Sequence, residues 1–186
     1  MEKIYTALGL MSGTSLDGVD VSIIESDGIK EYSSIFDRYF EYDNQLIEKL
    51  LSLRRKLSSF QDLKSNEKEI INLEKEITLF QAKAVEIVLK ESKSSIDLIG
   101  FHGQTIFHEP NINITKQLGD GKLLSHLTKT KVVYSFRDSD LKNGGEGAPL
   151  TPIFHQNLIR YLDLKWWPVV ILNIGGISNV TSISRF

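Results

Sequence analysis

Twelve residues near the N-terminus, Gly9-Leu10-Met11-Ser12-Gly13-Thr14-Ser15-Leu16-Asp17-Gly18-Val19-Asp20, bring together three glycines, three hydroxyls and two carboxylates. Glycines let a backbone come close to a ligand, and successive N–H groups with neighbouring hydroxyls (Ser12, Thr14, Ser15) can converge on an anion such as a phosphate. The plain alternative is a β-hairpin whose glycines only supply positive φ. Asp17 and Asp20 weigh against it. A carboxylate beside a phosphate cradle repels unless a divalent cation lies between them, the usual way magnesium is held at nucleotide sites. Asp17 is therefore the candidate metal ligand.

Three further stretches carry chemistry. His102-Gly103-Gln104-Thr105 follows a short apolar run, at the kind of strand end where α/β proteins place ligand contacts. A metal reading of His102, His108 and Glu109 is the weaker one, because their spacing fits no helical His-Glu-x-x-His pattern. Arg137, Asp138 and Asp140 lead into Gly144, Gly145, Gly147 and Pro149, which read as a polar loop too particular to be a mere connector. Asn173-Ile174-Gly175-Gly176 repeats the form of the first stretch, an apolar run entering a glycine turn. His126 and His155 read as surface or packing residues, and Glu67, Glu69, Glu74 and Glu76 as part of a solvated helix face.

The elements that must position these groups follow from periodicity. Ile4–Leu10, Val19–Glu25 and Tyr32–Tyr42 read as strands of an antiparallel meander. Asn44 is the expected cap of a helix carrying Leu46, Ile47, Leu50, Leu51 and Leu53. Ser58 to Ser65 reads as a polar link, and Asn66 to about Lys90 as the longest helix. Ile96–Phe101 is a short buried strand, Gly119–Thr128 a turn and short helix, Lys131–Phe136 a strand. Pro149 or Pro152 is placed to open a helix to Leu162. Val169–Ile174 and Ile177–Ile183 form a second hairpin.

Composition limits what such a chain can do. At 186 residues it can bury one sizeable core, with 41% hydrophobic and 25% charged residues. A net charge of −2 gives no electrostatic footprint for nucleic acid or an anionic membrane. The lack of cysteine removes disulfides, thiolate zinc sites and thiol nucleophiles together. No apolar run approaches the roughly 20 residues of a membrane span and no signal-peptide pattern opens the chain, so a cytoplasmic location is expected.

Four motifs in order, GLMSGTSLDGVD (Gly9–Asp20), HGQTIFHEP (His102–Pro110), FRDSDLKNGGEGAPLTPIFHQ (Phe136–Gln156) and NIGGISNVT (Asn173–Thr181), resemble those of anhydro-N-acetylmuramic acid kinases. These belong to the sugar-kinase, heat-shock-chaperone and actin group of folds. The resemblance implies an α/β, actin-like (ribonuclease H-like) ATPase domain: a mixed sheet with an antiparallel meander, flanked by helices, over residues 1–165. Residues 166–186 would be the first hairpin of a second domain. The implied activity is hydrolytic opening of the 1,6-anhydro ring with ATP-dependent phosphorylation of the sugar O6, serving peptidoglycan recycling. ATP and Mg²⁺ are the implied cofactors and an amino sugar the implied substrate.

Residue by residue, the resemblance assigns nucleotide contacts to Gly13, Thr14, Ser15, Leu16, Asp17, Gly18, Val19 and Asp20, with Gly175 and Gly176 in the second hairpin. It places Gln104, Thr105, Arg137 and Asp140 towards the sugar. Two departures matter. Ser135 stands where an acidic residue commonly precedes the Phe-Arg pair. The family's catalytic aspartate, the general base, lies in a Phe-Asp-Thr-Gly-Pro-Gly-Asn motif that these residues do not include. That base is expected beyond Phe186, so no residue of this sequence is assigned a catalytic role. The expectation is an N-terminal portion, inactive alone, completed by a partner carrying a C-terminal half. A non-catalytic binding module and a dimerising subunit with exposed hairpin edges are the alternatives.

Overall fold

Strand β4 (Leu98–Glu109) is the spine of the computed structural model, which describes residues 3–162, 164–175 and 177–184. One side of β4 pairs in parallel with β1 (Tyr5–Ser12). On the other side its first residues pair in parallel with β6 (Lys131–Tyr134), and its last pair antiparallel with β5 (Ile114–Leu118). Beyond β1 the antiparallel meander continues through β2 (Gly18–Ser26) and β3 (Tyr32–Glu41), so the order is β3-β2-β1-β4-β5 with β6 also on β4. The sheet is thus mixed, as the meander-plus-crossover pattern requires.

Helix α1 (Asn44–Lys56) and helix α3 (Glu67–Ser92) cover one face of this sheet. The C-terminal half of α3 sets Ala84, Val85 and Val88 against Leu8, Leu10, Val21, Ile23, Ile99 and Phe101. Its N-terminal half packs Ile70, Leu73 and Ile77 with Leu46, Leu50 and Leu53 of α1, over Leu16, Ile106 and Leu118. Alternation along β1 produces this division, since Leu8, Leu10 and Ser12 are buried while Gly9 and Met11 face the opposite side. Helix α4 (Gly121–Thr128) adds Leu124 to the first cluster.

Four expectations are corrected. The cap of α1 is Asp43, whose side chain accepts from Leu46 N at 2.8 Å, because an extended residue must precede the helix and Asn44 is already helical. The polar link forms helix α2 (Phe60–Ser65), started by a reciprocal capping box between Ser59 and Asp62. Strand β4 does not end at Phe101 but runs to Glu109, because β5 returns alongside it after a 3₁₀ turn at Pro110–Ile112. The stretch after β6 opens not as a loop but as helix α5 (Phe136–Lys142).

Helix α6 (Pro152–Tyr161) begins at Pro152, and its Phe154 and Tyr161 both meet Tyr32 edge-on. Strands β7 (Val169–Asn173) and β8 (Asn179–Ile183) form a separate two-stranded sheet. His155 Nδ1 lies 2.8 Å from Thr181 Oγ1, tying that sheet to α6.

Candidate functional site

The turn between β1 and β2 is held from several sides. Leu16 N donates to Gly13 O, and Leu16 adopts φ 63° with its side chain fully buried. That left-handed conformation costs a leucine on the order of 1 kcal/mol, which burial in the α1–α3 cluster offsets. Tyr42 N donates to Asp17 O at 2.8 Å, and Arg54 of α1 donates to Thr14 O at 2.8 Å. From β4, Gln104 Nε2 donates to Gly13 O at 2.8 Å. Gln104 reaches that far because the β1–β4 register shifts between Leu10 and Ser12, bringing Gln104 opposite Ser12.

Beneath the turn lies a buried polar cluster that the sequence did not announce. Ser12 Oγ and Tyr42 OH are 2.9 Å apart, and Gln81 Nε2 donates to both, at 2.9 and 3.3 Å. Both Ser12 and Gln81 occupy core-facing positions of otherwise apolar patterns, Leu8-x-Leu10-x-Ser12 and Ile77-x-x-x-Gln81-x-x-Ala84-Val85. A polar residue in an apolar stripe is the signal that could have found them.

The eight hairpin residues divide by side-chain placement. Leu16 and Val19 are buried in the two core clusters, so only their backbone can meet a ligand. Gly18 is required: a Cβ there would lie 2.3 Å from Phe40 O and 2.5 Å from Tyr39 OH. Ser15, Asp17 and Asp20 are exposed, and Ser15 Oγ donates to Asp17 Oδ1 at 2.5 Å. Although Asp20 is exposed as a residue, partial desolvation of its carboxyl, and then the charge of Asp17, hold that carboxyl above the usual range. Among the described residues no group of three His, Cys, Asp or Glu is placed to hold a metal. Asp17, the metal ligand expected from the sequence, keeps an exposed carboxylate whose Oδ1 accepts from Ser15 Oγ.

A second group forms where β4 meets α5. Arg137 Nε donates to His102 Nε2 at 2.8 Å and Arg137 Nη1 to Gly147 O at 2.7 Å. Because a guanidinium only donates, His102 must carry its proton on Nδ1, which lies 2.6 Å from Gly103 O. Burial, and then the nearby Arg137 charge, push His102 down to about 4. The same two causes lower His108, whose Nδ1 lies 3.1 Å from Thr115 Oγ1. Asp140 Oδ2 accepts from Gly147 N at 2.8 Å, so this carboxylate folds the glycine loop. Gly147 itself has φ 70°, which favours glycine, and a Cβ there would press on His108 Cε1 at 3.0 Å and the Arg137 carbonyl oxygen at 3.3 Å. Thr105 Oγ1 and Gln104 Oε1 are buried and without a partner among the described residues.

The structure thus brings Gln104 to the hairpin directly, and Arg137 and Asp140 to one another through Gly147. Gly175 lies between β7 and β8, and Gly176 falls outside the described residues. Phe186, beyond which the general-base aspartate is expected, also lies outside the described residues. No helix among the described residues is long and apolar enough to cross a membrane.

A family model described as "Anhydro-N-acetylmuramic acid kinase" matches residues 5–185. Curated relatives bear that name. One from Pelagibacter ubique (strain HTCC1062) is 55% identical, covering 98% of this chain and 48% of its own length. One from Gluconobacter oxydans (strain 621H) is 41% identical over 96% of this chain and 48% of its own. One from Brucella canis is 39% identical over 100% of this chain and 51% of its own. The chain therefore spans about half the length of the curated relatives it matches.

Proposed function

The chain belongs to the anhydro-N-acetylmuramic acid kinase family, and from that premise we propose that it builds the phosphate hairpin and part of the sugar-facing wall of such a kinase. The reaction hydrolytically opens the 1,6-anhydro ring and phosphorylates O6 of the sugar at the expense of ATP, in peptidoglycan recycling. The observation that carries this reading is the hairpin's support. Four residues from outside the turn, Tyr42, Arg54, Gln81 and Gln104, fix its backbone or the Ser12 beneath it, while Ser15, Asp17 and Asp20 stay exposed. A preorganised cradle lets phosphate bind with little reorganisation.

Asp17 and Asp20 would hold Mg²⁺, which when bound neutralises charge on the transferring phosphoryl group. Thr105 and Gln104, whose buried Oγ1 and Oε1 have no partner among the described residues, are the proposed sugar contacts, and Arg137 would add a positive charge. Ring opening also needs a carboxylate to deprotonate water for attack at the anomeric carbon while O6 leaves. The family's aspartate for that step, expected beyond Phe186, is in a motif these residues do not include. Residues 166–186 would be the opening hairpin of a second domain, with Gly175 and Gly176 as its nucleotide contacts. Expected, therefore, is binding without turnover by this chain, and phosphorylation once a polypeptide bearing the missing motif is added.

Phosphate binding by a non-catalytic module is the second reading, favoured because the residues that brace the first hairpin from outside all lie between Tyr42 and Gln104. Backbone NMR of the chain titrated with ATP–Mg²⁺ tests the core of both: amide shifts should concentrate at Gly13–Asp20. Shifts absent from that turn would sink the assignment, and turnover by the chain alone would sink the claim that it needs a complement.

A further inference from the structure

Helix α1 reaches the turn between β1 and β2 through one side chain. Its last turn is basic, with Arg54, Arg55 and Lys56, the composition that complements a helix C-terminus. Arg54 does something more: its Nη1 crosses to Thr14 O, 40 positions away in sequence, and donates at 2.8 Å. The contact is solvent-exposed, and among the described residues no carboxylate forms an ion pair with Arg54. An exposed charged contact adds little to the stability of a fold, so its consequence lies in the turn itself.

The peptide between Thr14 and Ser15 is trans, which makes its C=O and N–H point in opposite directions. A guanidinium on Thr14 O therefore turns Ser15 N–H away from α1. The preceding peptide is held in the same way, because Gly13 O accepts from Gln104 Nε2 of β4 and from Leu16 N. Neither Thr14 N–H nor Ser15 N–H has a partner among the described residues. Two adjacent peptide planes are thus fixed by their carbonyls, and two successive amides are left as donors, as in a backbone nest for an anion. A cation on a carbonyl also polarises the amide to which it belongs, so Ser15 N–H is the stronger donor of the two. Resting on the phosphate-hairpin reading above, we infer that Arg54 is a positioning residue of the phosphate site, which acts through the Thr14–Ser15 peptide to aim Ser15 N–H at the nucleotide.

NMR of the 186-residue chain titrated with ATP–Mg²⁺ tests this, with amide shifts and Kd read together. In the parent, Ser15 N–H should respond more than the side-chain Nε–H of Arg54. Arg54→Met keeps most of the stem without its donors; it should bind about three- to tenfold more weakly, the effect of leaving one peptide to be ordered on binding. Its Ser15 response should shrink while its urea midpoint stays that of the parent. Arg54→Lys, which can still donate to Thr14 O, should recover part of the loss, and Arg55→Met, which removes the same charge from the same helix end, should stay within about twofold of the parent. Unchanged binding by Arg54→Met overturns the inference, as does an equal loss in Arg55→Met, which would make the effect one of net charge. A loss matched by a fall in the urea midpoint, or a larger response at Arg54 Nε–H than at Ser15, also overturns it, as a structural role or a direct phosphate contact. The two readings fail separately. Shifts in the parent turn that Arg54→Met leaves intact remove this inference alone, while a silent turn in the parent removes the hairpin reading and this inference with it.

Discussion

At His102 one proton decides whether two elements stay joined. Its Nε2 accepts from a guanidinium that has no lone pair to offer in return, so a protonated imidazole would face Arg137 cation to cation. The folded value of about 4 lies below the ordinary 6.5, so the folded state binds fewer protons than the unfolded one between those limits. Stability from this group is therefore complete above about pH 6.5, falls as pH drops towards 4, and changes no further below that. The slope in that window should approach, at most, about 1.4 kcal/mol per pH unit from this residue. Urea unfolding at intervals from about pH 7 to about pH 4.5 should show it, and His102→Gln should flatten the curve; an unchanged curve in the variant would refute the role. The sequence marked His102 as a residue of interest but not its partner, because Arg137 lies 35 positions away and only the parallel β4–β6 pairing brings α5 back over β4.

Among the elements, the β1–β2 hairpin was the most legible, since alternation, glycines and hydroxyls all act within a few residues. Its demands on the backbone differ from glycine to glycine. A Cβ at Gly18 would strike the Phe40 carbonyl at 2.3 Å, whereas one at Gly9 has nothing nearer than 4.0 Å. Gly18→Ala should cost at least about 2 kcal/mol by overpacking against backbone, and Gly9→Ala should stay within about 0.5 kcal/mol of the parent or gain stability. Thermal or urea unfolding of the pair decides this, and equal losses would contradict the crowding at Gly18. Helix α2 carries a local signal, Ser59-x-x-Asp62, that marks its start. Helix α5 was illegible for a physical reason: seven residues with one buried apolar side chain, Leu141, carry no periodic stripe, and they begin from Ser135 in a left-handed conformation. The same holds for the extension of β4, whose second half is a strand only because β5 supplies its hydrogen bonds.

For the whole molecule, one face of the large sheet has its apolar side chains covered by α1, α3 and α4, whereas the β7–β8 ribbon leaves apolar side chains exposed. Leu172 and Val180 are cross-strand partners and are 57% and 59% exposed, with Ile174 and Ile177 more exposed still. Such a patch on a two-stranded ribbon favours association. Sedimentation should show concentration-dependent self-association that the double change Leu172→Lys and Val180→Lys suppresses; a monomeric parent at high concentration would contradict it. The sequence by itself determined the antiparallel meander, the long amphipathic helix, the first glycine turn and the family, because each rests on spacing within a short window or on motifs in register. Only the tertiary structure decided that Gln104 supports the Gly13 carbonyl, that Ser12, Tyr42 and Gln81 share a buried hydrogen-bond cluster, and that a neutral His102 holds Arg137. Those contacts join residues 30 to 91 positions apart. Their strength comes from burial that exists only once the sheet and its helices have closed over them.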